Sequence, residues 1–271
     1  MSVQTAISRV NIPALRKMKQ EKQPIVALTA YDYSFAHLLD QSGIEIILVG
    51  DSLGMVVQGH QTTIPVSIED MLYHTSIVSK GVDRALVVMD MPFMSYSSIE
   101  LALNNAADAL QLAGAQMVKL EGGLDQLHIV EALSRHEIPV CAHIGLKPQS
   151  VYKSGGYKVQ GRGAQAAVEM IEEAAALEKA GADILLLECV PKMLAAEITA
   201  NTEIPVIGIG AGNACDGQIL VLHDLLGITP GKPPGFSKNF MQGSTDIQAA
   251  IMAYADDVRS RRFPANEHSF T

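Results

Sequence analysis

Short apolar, β-branched runs recur along the chain, each followed by a small or polar turn and then a longer stretch with helical spacing. Eight such runs can be marked: Ile25–Ala30, Ile46–Gly50, Ala85–Met89, Met117–Leu120, Pro139–Ala142, Ile184–Leu187, Pro205–Ile209 and Ile219–Leu222. Helical periodicity fills most intervals, at Ser34–Gln41, Ser67–Gly81, Ser98–Ala113, Leu124–His136, Gly163–Ala180 and Val190–Thr202. Runs this continuously apolar suit strands buried on both faces, and strand alternating with helix is the rhythm of parallel βα units. Ser67 and Ser98 stand where N-caps belong, Asp70 completes a box with Ser67, and Gly114 and Gly181 sit between helix and strand.

Two α/β architectures share this rhythm. A doubly wound open sheet normally opens with a glycine-rich dinucleotide turn, whereas Tyr31-Asp32-Tyr33 follows the first run here. The pattern therefore predicts a (β/α)8 TIM barrel, a single domain over 1–271 with an N-terminal segment 1–24 and a C-terminal helical tail 236–271. The tail is expected to pack outside the barrel or against another subunit. The link before the eighth run is short and glycine-rich, and no Pro- or Ser-rich linker divides the chain.

Composition narrows the class. Hydrophobic residues make up 48% of the 271 positions and charged residues 18%, enough apolar material for a large doubly covered sheet. A net charge of −9 disfavours nucleic acid as a partner. Neither a signal-like segment nor a membrane-length apolar run is evident, and three cysteines without CxxC spacing give neither a disulfide framework nor a thiolate zinc site. A cytoplasmic protein is expected.

In a barrel, residues at the C-terminal strand ends face the active site. Successive ends here carry Asp51, Asp90, Lys119 with Glu121, His143 and Glu188. Singly, each has an ordinary explanation: Asp51 with Ser52 could cap a turn, and a lone His143 could be a hydrogen-bonded core residue. Convergence from separate strands favours a site. Asp51, Asp90 and Glu121 end neighbouring strands and suit a hard, oxygen-loving ion such as Mg²⁺. Lys119, two residues from Glu121, shares its inward side and can bind a substrate carboxylate or form a Schiff base, the first being favoured beside three carboxylates. A cation chelated by a 2-oxo acid would stabilise the enolate left when the adjacent carbon loses a proton. Glu188, between Leu187 and Cys189-Val190, is desolvated by its apolar flanks and fits a general base. The glycine- and lysine-rich stretch Lys147–Arg162 could cover a substrate or merely link elements, and Gly208–Gly212 is only a weak phosphate signal.

The segments Thr29–Ser34, Leu48–Gly54, Asp90-Met-Pro-Phe93, Val118–Gly123, His143–Leu146 with Pro148-Gln-Ser150, Gly155–Gly163, Leu187–Pro191 and Ile207–Gly212 resemble those of the ketopantoate hydroxymethyltransferase family, in the same order from about Ile12 to His268. The resemblance implies transfer of a hydroxymethyl group from 5,10-methylenetetrahydrofolate to 3-methyl-2-oxobutanoate. It further implies Mg²⁺ at Asp51 and Asp90 with Glu121 nearby, substrate contacts from Asp51, Ser52, Asp90 and Lys119 with His143 close, Glu188 as proton acceptor, and a cytoplasmic homo-oligomer, a decamer. Two rivals remain on the sequence: a lyase resembling isocitrate lyase or phosphoenolpyruvate mutase, and a barrel that binds a metal or metabolite without catalysis.

Overall fold

In the computed structural model, which describes residues 9–271, eight parallel strands close on themselves in sequence order. Residues 1–8 of the N-terminal segment 1–24 lie outside the described residues. The chain runs α1 (Ile12–Gln20), β1 (Ile25–Thr29), α2 (Tyr33–Gln41), β2 (Ile46–Val49), α3 (Leu53–Val56), α4 (Ile68–Lys80), β3 (Leu86–Asp90), α5 (Ile99–Gln111), β4 (Met117–Glu121), α6 (Leu127–Arg135) and β5 (Val140–Gly145). It continues through α7 (Val151–Ser154), α8 (Ala164–Lys179), β6 (Ile184–Glu188), α9 (Lys192–Asn201), β7 (Val206–Ile209), β8 (Gly217–Leu220), α10 (Leu222–Leu226) and α11 (Ile247–Arg259).

The strands are as buried as their unbroken apolar runs require. Ala27, Leu48, Val88, Cys141, Leu186, Ile207 and Ile219 surround a small cavity inside the barrel, and Lys119 alone among its lining residues is charged. The barrel closes where β8 pairs with β1, Gly217 opposite Ile25. A side chain at Gly217 would run into the Ile25 carbonyl and Ile207, so the closing strand must start with glycine.

Helix placement follows local chemistry. Ser67 and Asp70 form the reciprocal capping box over α4, and Ser98 caps α5 through the Leu101 N–H. Helix α1, not foreseen in the N-terminal segment, lies across the N-terminal end of the barrel, with Leu15 buried, Arg16 bonded to Asp183 and Lys19 to Asp216 and Thr199. The predicted helix over 124–136 begins as a 3-10 turn, Leu124–Gln126, before α6. The eighth strand starts two residues before its apolar run, because pairing of Gly217 and Gln218 with β1 and β7 sets its register, and Leu222 already belongs to α10. Within 236–271, α11 packs on β1, α2 and α10, outside the barrel as expected. Its Tyr254 hydroxyl, fully buried, reaches the carbonyls of Ala27 and Gln218 across the closing seam, both at 3.0 Å.

Between β7 and β8 there is no helix. The chain turns back over residues 210–216, and the segment after α11 covers this side instead: Arg261 donates to the carbonyls of Asn213 and Cys215, and the Lys192 N–H at the start of α9 donates to the Phe270 carbonyl.

Candidate active site

The ladders bring the ionisable strand ends together. Asp90 on β3 lies opposite Lys119 on β4, Glu121 opposite His143 on β5, and Gly145 opposite Glu188 on β6. In β4, Lys119 and Glu121 are two apart and share the inward side. Two backbone features shape this end. Gly145 (φ +94°) has no room for a β-carbon, which would strike the Glu188 carbonyl. Cys189 takes the left-handed conformation (φ +51°), turning the chain sharply after Glu188, and such a strained non-glycine residue beside a carboxylate is a frequent mark of function.

The Lys119 ammonium contacts both oxygens of Asp90, at 2.7 and 2.8 Å, in a pair almost sealed from solvent. The backbone N–H of Asp51 points to Asp90 Oδ2 at 3.3 Å. Ser52 Oγ lies 2.9 Å from the Tyr31 hydroxyl. His143 stands between two acids, its Nε2 3.3 Å from Glu188 and its Nδ1 3.8 Å from Glu121. Neither ring nitrogen makes a protein hydrogen bond, nor does Glu121 Oε1, although all three atoms are buried.

Burial dominates the electrostatics. It raises the Asp51 carboxyl to about 7, with Asp90 adding repulsion and Lys119 opposing it. Glu188 is likewise raised to about 7 by burial, with Lys119 the opposing influence. Burial also lifts Glu121 well above the usual carboxylate range. For Lys119, burial alone would favour the neutral amine, but Asp90, Glu121 and Asp51 reverse this and hold it as ammonium. Burial, then Lys119, keeps the His143 imidazole far below its ordinary range and so neutral.

Two further residues belong to this constellation. Gln149, in the 3-10 turn Pro148–Ser150 after β5, donates from its side chain to Asp51 Oδ2 and the Met91 carbonyl, both at 2.9 Å, and from its backbone to Glu121 Oε2 at 3.0 Å. Tyr96 donates to Gln149 Oε1 at 2.6 Å. Both residues are neutral and lie in loops, without the charge that marks the strand ends. The one sequence signal was the Pro148-Gln-Ser150 segment.

The residues fit a divalent cation in one particular manner. Asp51, Asp90, Glu121 and Glu188 face a single ammonium, and the unpaired Glu121 Oε1 is an unanswered acceptor. Among the described residues, no three of His, Cys, Asp or Glu form a group that could hold an ion by themselves. Such an open set suits Mg²⁺, which keeps several waters and takes remaining ligands from substrate, and not a closed zinc cage.

A parallel eight-stranded barrel with acids, a lysine and a neutral histidine gathered at its C-terminal mouth defines a (β/α)8-barrel enzyme. The family model for ketopantoate hydroxymethyltransferase matches residues 9–266. A 3-methyl-2-oxobutanoate hydroxymethyltransferase of Alkalilimnicola ehrlichii is 59% identical over 261 residues, covering 96% of this chain and 94% of the relative. The enzyme of the same name from Marinobacter nauticus is 55% identical, covering 96% and 98%. The chain belongs to the ketopantoate hydroxymethyltransferase family. Among solved structures, phosphonopyruvate hydrolase in complex with oxalate and Mg²⁺ superimposes with a TM-score of 0.60 at 14% identity, over 94% of this chain and 98% of that one, a likeness of fold.

Proposed function

We infer that this enzyme transfers a hydroxymethyl group to 3-methyl-2-oxobutanoate, giving 2-dehydropantoate for pantothenate synthesis, with 5,10-methylenetetrahydrofolate as the one-carbon donor. The observation that carries this reading is family membership over residues 9–266 joined to a mostly buried carboxylate, Glu188, held near 7 beside an open acidic set. Asp51 and Asp90, with Glu121 close, would hold Mg²⁺, and the bound cation would supply Lewis-acid polarisation of the oxo acid. Lys119 neutralises Asp90 and offers its remaining ammonium hydrogen to the substrate carboxylate, and Asp51, Ser52, Asp90 and His143 complete the substrate contacts. Glu188 takes the proton from the carbon next to the keto group. With a pKa near 7 it is part ionised at neutral pH and basic enough to accept a proton there. Neutral His143 can hydrogen-bond Glu188 without quenching its charge.

The whole chain acts as one catalytic domain, in the cytoplasm, as a homo-oligomer, a decamer by resemblance. Among the described residues, no helix is long and apolar enough to cross a membrane. The decisive experiment is product identification with 3-methyl-2-oxobutanoate, 5,10-methylenetetrahydrofolate and Mg²⁺. Formation of 2-dehydropantoate is expected. Carbon–carbon cleavage without folate would instead indicate a lyase, and no turnover a binding barrel.

A further inference from the structure

The most completely bonded side chain at the mouth is an amide. Gln149 reaches from the loop after β5 to the ends of β2 and β4 and to the residue after β3, binding Asp51 Oδ2, Glu121 Oε2 and the Met91 carbonyl. It is only 6% exposed. An amide can be placed two ways round, and the Met91 carbonyl, which can only accept, decides between them. The NH₂ group therefore faces Met91 and Asp51, which leaves Oε1 for the Tyr96 phenol at 2.6 Å, and the same hydroxyl lies 3.2 Å from the Glu121 carbonyl. Burial holds the Tyr96 hydroxyl protonated, well above its ordinary range, so it remains a donor at any working pH.

We propose that Gln149, locked by Tyr96, is a positioning residue that fixes the carboxylates of Asp51 and Glu121 for the divalent cation. This rests on the metal-dependent reading above. The residue type matters. A carboxylate at 149 would add another negative charge beside Asp51, and a lysine or arginine would pair with Asp51 and compete with the cation. A neutral donor orients the carboxylate and favours its ionised form while leaving its charge available, the role that outer hydrogen bonds commonly play for metal ligands. Gln149 also joins the two acids through one rigid turn, its side chain to one and its backbone to the other.

Titration of the full-length protein with Mn²⁺ alone, followed by electron paramagnetic resonance, tests this without turnover. Gln149→Met keeps the side-chain volume but removes donor and acceptor, and should weaken Mn²⁺ binding about 10- to 100-fold, the range typical of outer-shell changes. Tyr96→Phe removes the hydroxyl that holds the amide Oε1 in place, and should weaken it in the same direction by a smaller factor. In the assay, both should raise KM for the oxo acid and the metal concentration at half-maximal rate, while kcat at saturation changes much less. Wild-type Mn²⁺ affinity in Tyr96→Phe and in a folded Gln149→Met would overturn the proposal alone. If Gln149→Met does not fold, Tyr96→Phe decides by itself. Absence of Mn²⁺ binding by the wild type would overturn the metal reading together with it.

Discussion

Glu188 shows how one residue's surroundings set its chemistry. The leucines that precede it leave its carboxylate mostly buried at the end of β6, and this desolvation moves its pKa to about 7. If it is the base, enzyme, Mg²⁺ and 3-methyl-2-oxobutanoate in deuterated water should exchange the C3 proton without folate, and the rate should climb as pH rises through about 7, where Glu188 ionises. Glu188→Gln should lose both exchange and turnover by roughly 10²–10⁴-fold. Exchange at the wild-type rate without product would move Glu188 to the folate half of the reaction and make His143, 3.3 Å away, the next base to test. Lys119→Ala should chiefly raise KM for the oxo acid, and borohydride should trap no substrate on the wild-type lysine. A covalent adduct at Lys119 would replace charge pairing with a Schiff base. At this scale the charged residues were legible because each interrupts or ends an apolar run at a strand terminus. Gln149 and Tyr96 were not, since a neutral polar residue in a loop has no periodicity to violate, and only the folded turn brings it under Asp51.

Among the elements, strand order and most helices were legible, because burial on both faces writes continuous apolar runs into the chain. What failed had local physical causes: α1 has only Leu15 fully buried, and β8 takes its start from pairing at Gly217 and not from hydrophobicity. The junction of β5 and β6 yields a direct test. Gly145→Ala places a β-carbon against the Glu188 carbonyl at a backbone angle that alanine tolerates poorly, so it should destabilise the protein by more than about 1 kcal/mol. Because that carbonyl belongs to the proposed base, kcat should fall further than the thermal midpoint would explain. Ser67→Ala is the contrast: it removes one capping bond on α4, should cost about 1 kcal/mol, and should leave kcat unchanged. Thermal melts with steady-state kinetics on both variants check the pair.

Across the whole molecule, the buried acids couple fold to pH. Asp51 and Glu188 titrate near 7 in the folded protein, against 3.8 and 4.5 ordinarily, so over that interval the folded chain holds protons that the unfolded chain has released. Unfolding then gives up protons, so the contribution of these two carboxyls to stability falls as pH rises from about 4 to about 7. A cation that binds the ionised acids opposes the loss. The melting temperature of metal-free protein, corrected with a Glu188→Gln control, should therefore drop across this interval, and Mg²⁺ should raise it more at pH 8 than at pH 5. Equal Mg²⁺ effects at both pH values would separate the cation from these carboxylates.

The seam between β8 and β1 also governs when the protein can be finished. Tyr254 meets Ala27 across 227 residues of sequence, while β2 can pair with β1 as soon as both exist. On a ribosome releasing the chain from its N-terminus, β1 therefore waits with one edge bare until nearly everything else has been made, and contacts this distant in sequence form slowly. The nascent sheet spends its synthesis as an open, sticky ribbon, and that interval is when a chaperone has most reason to hold it.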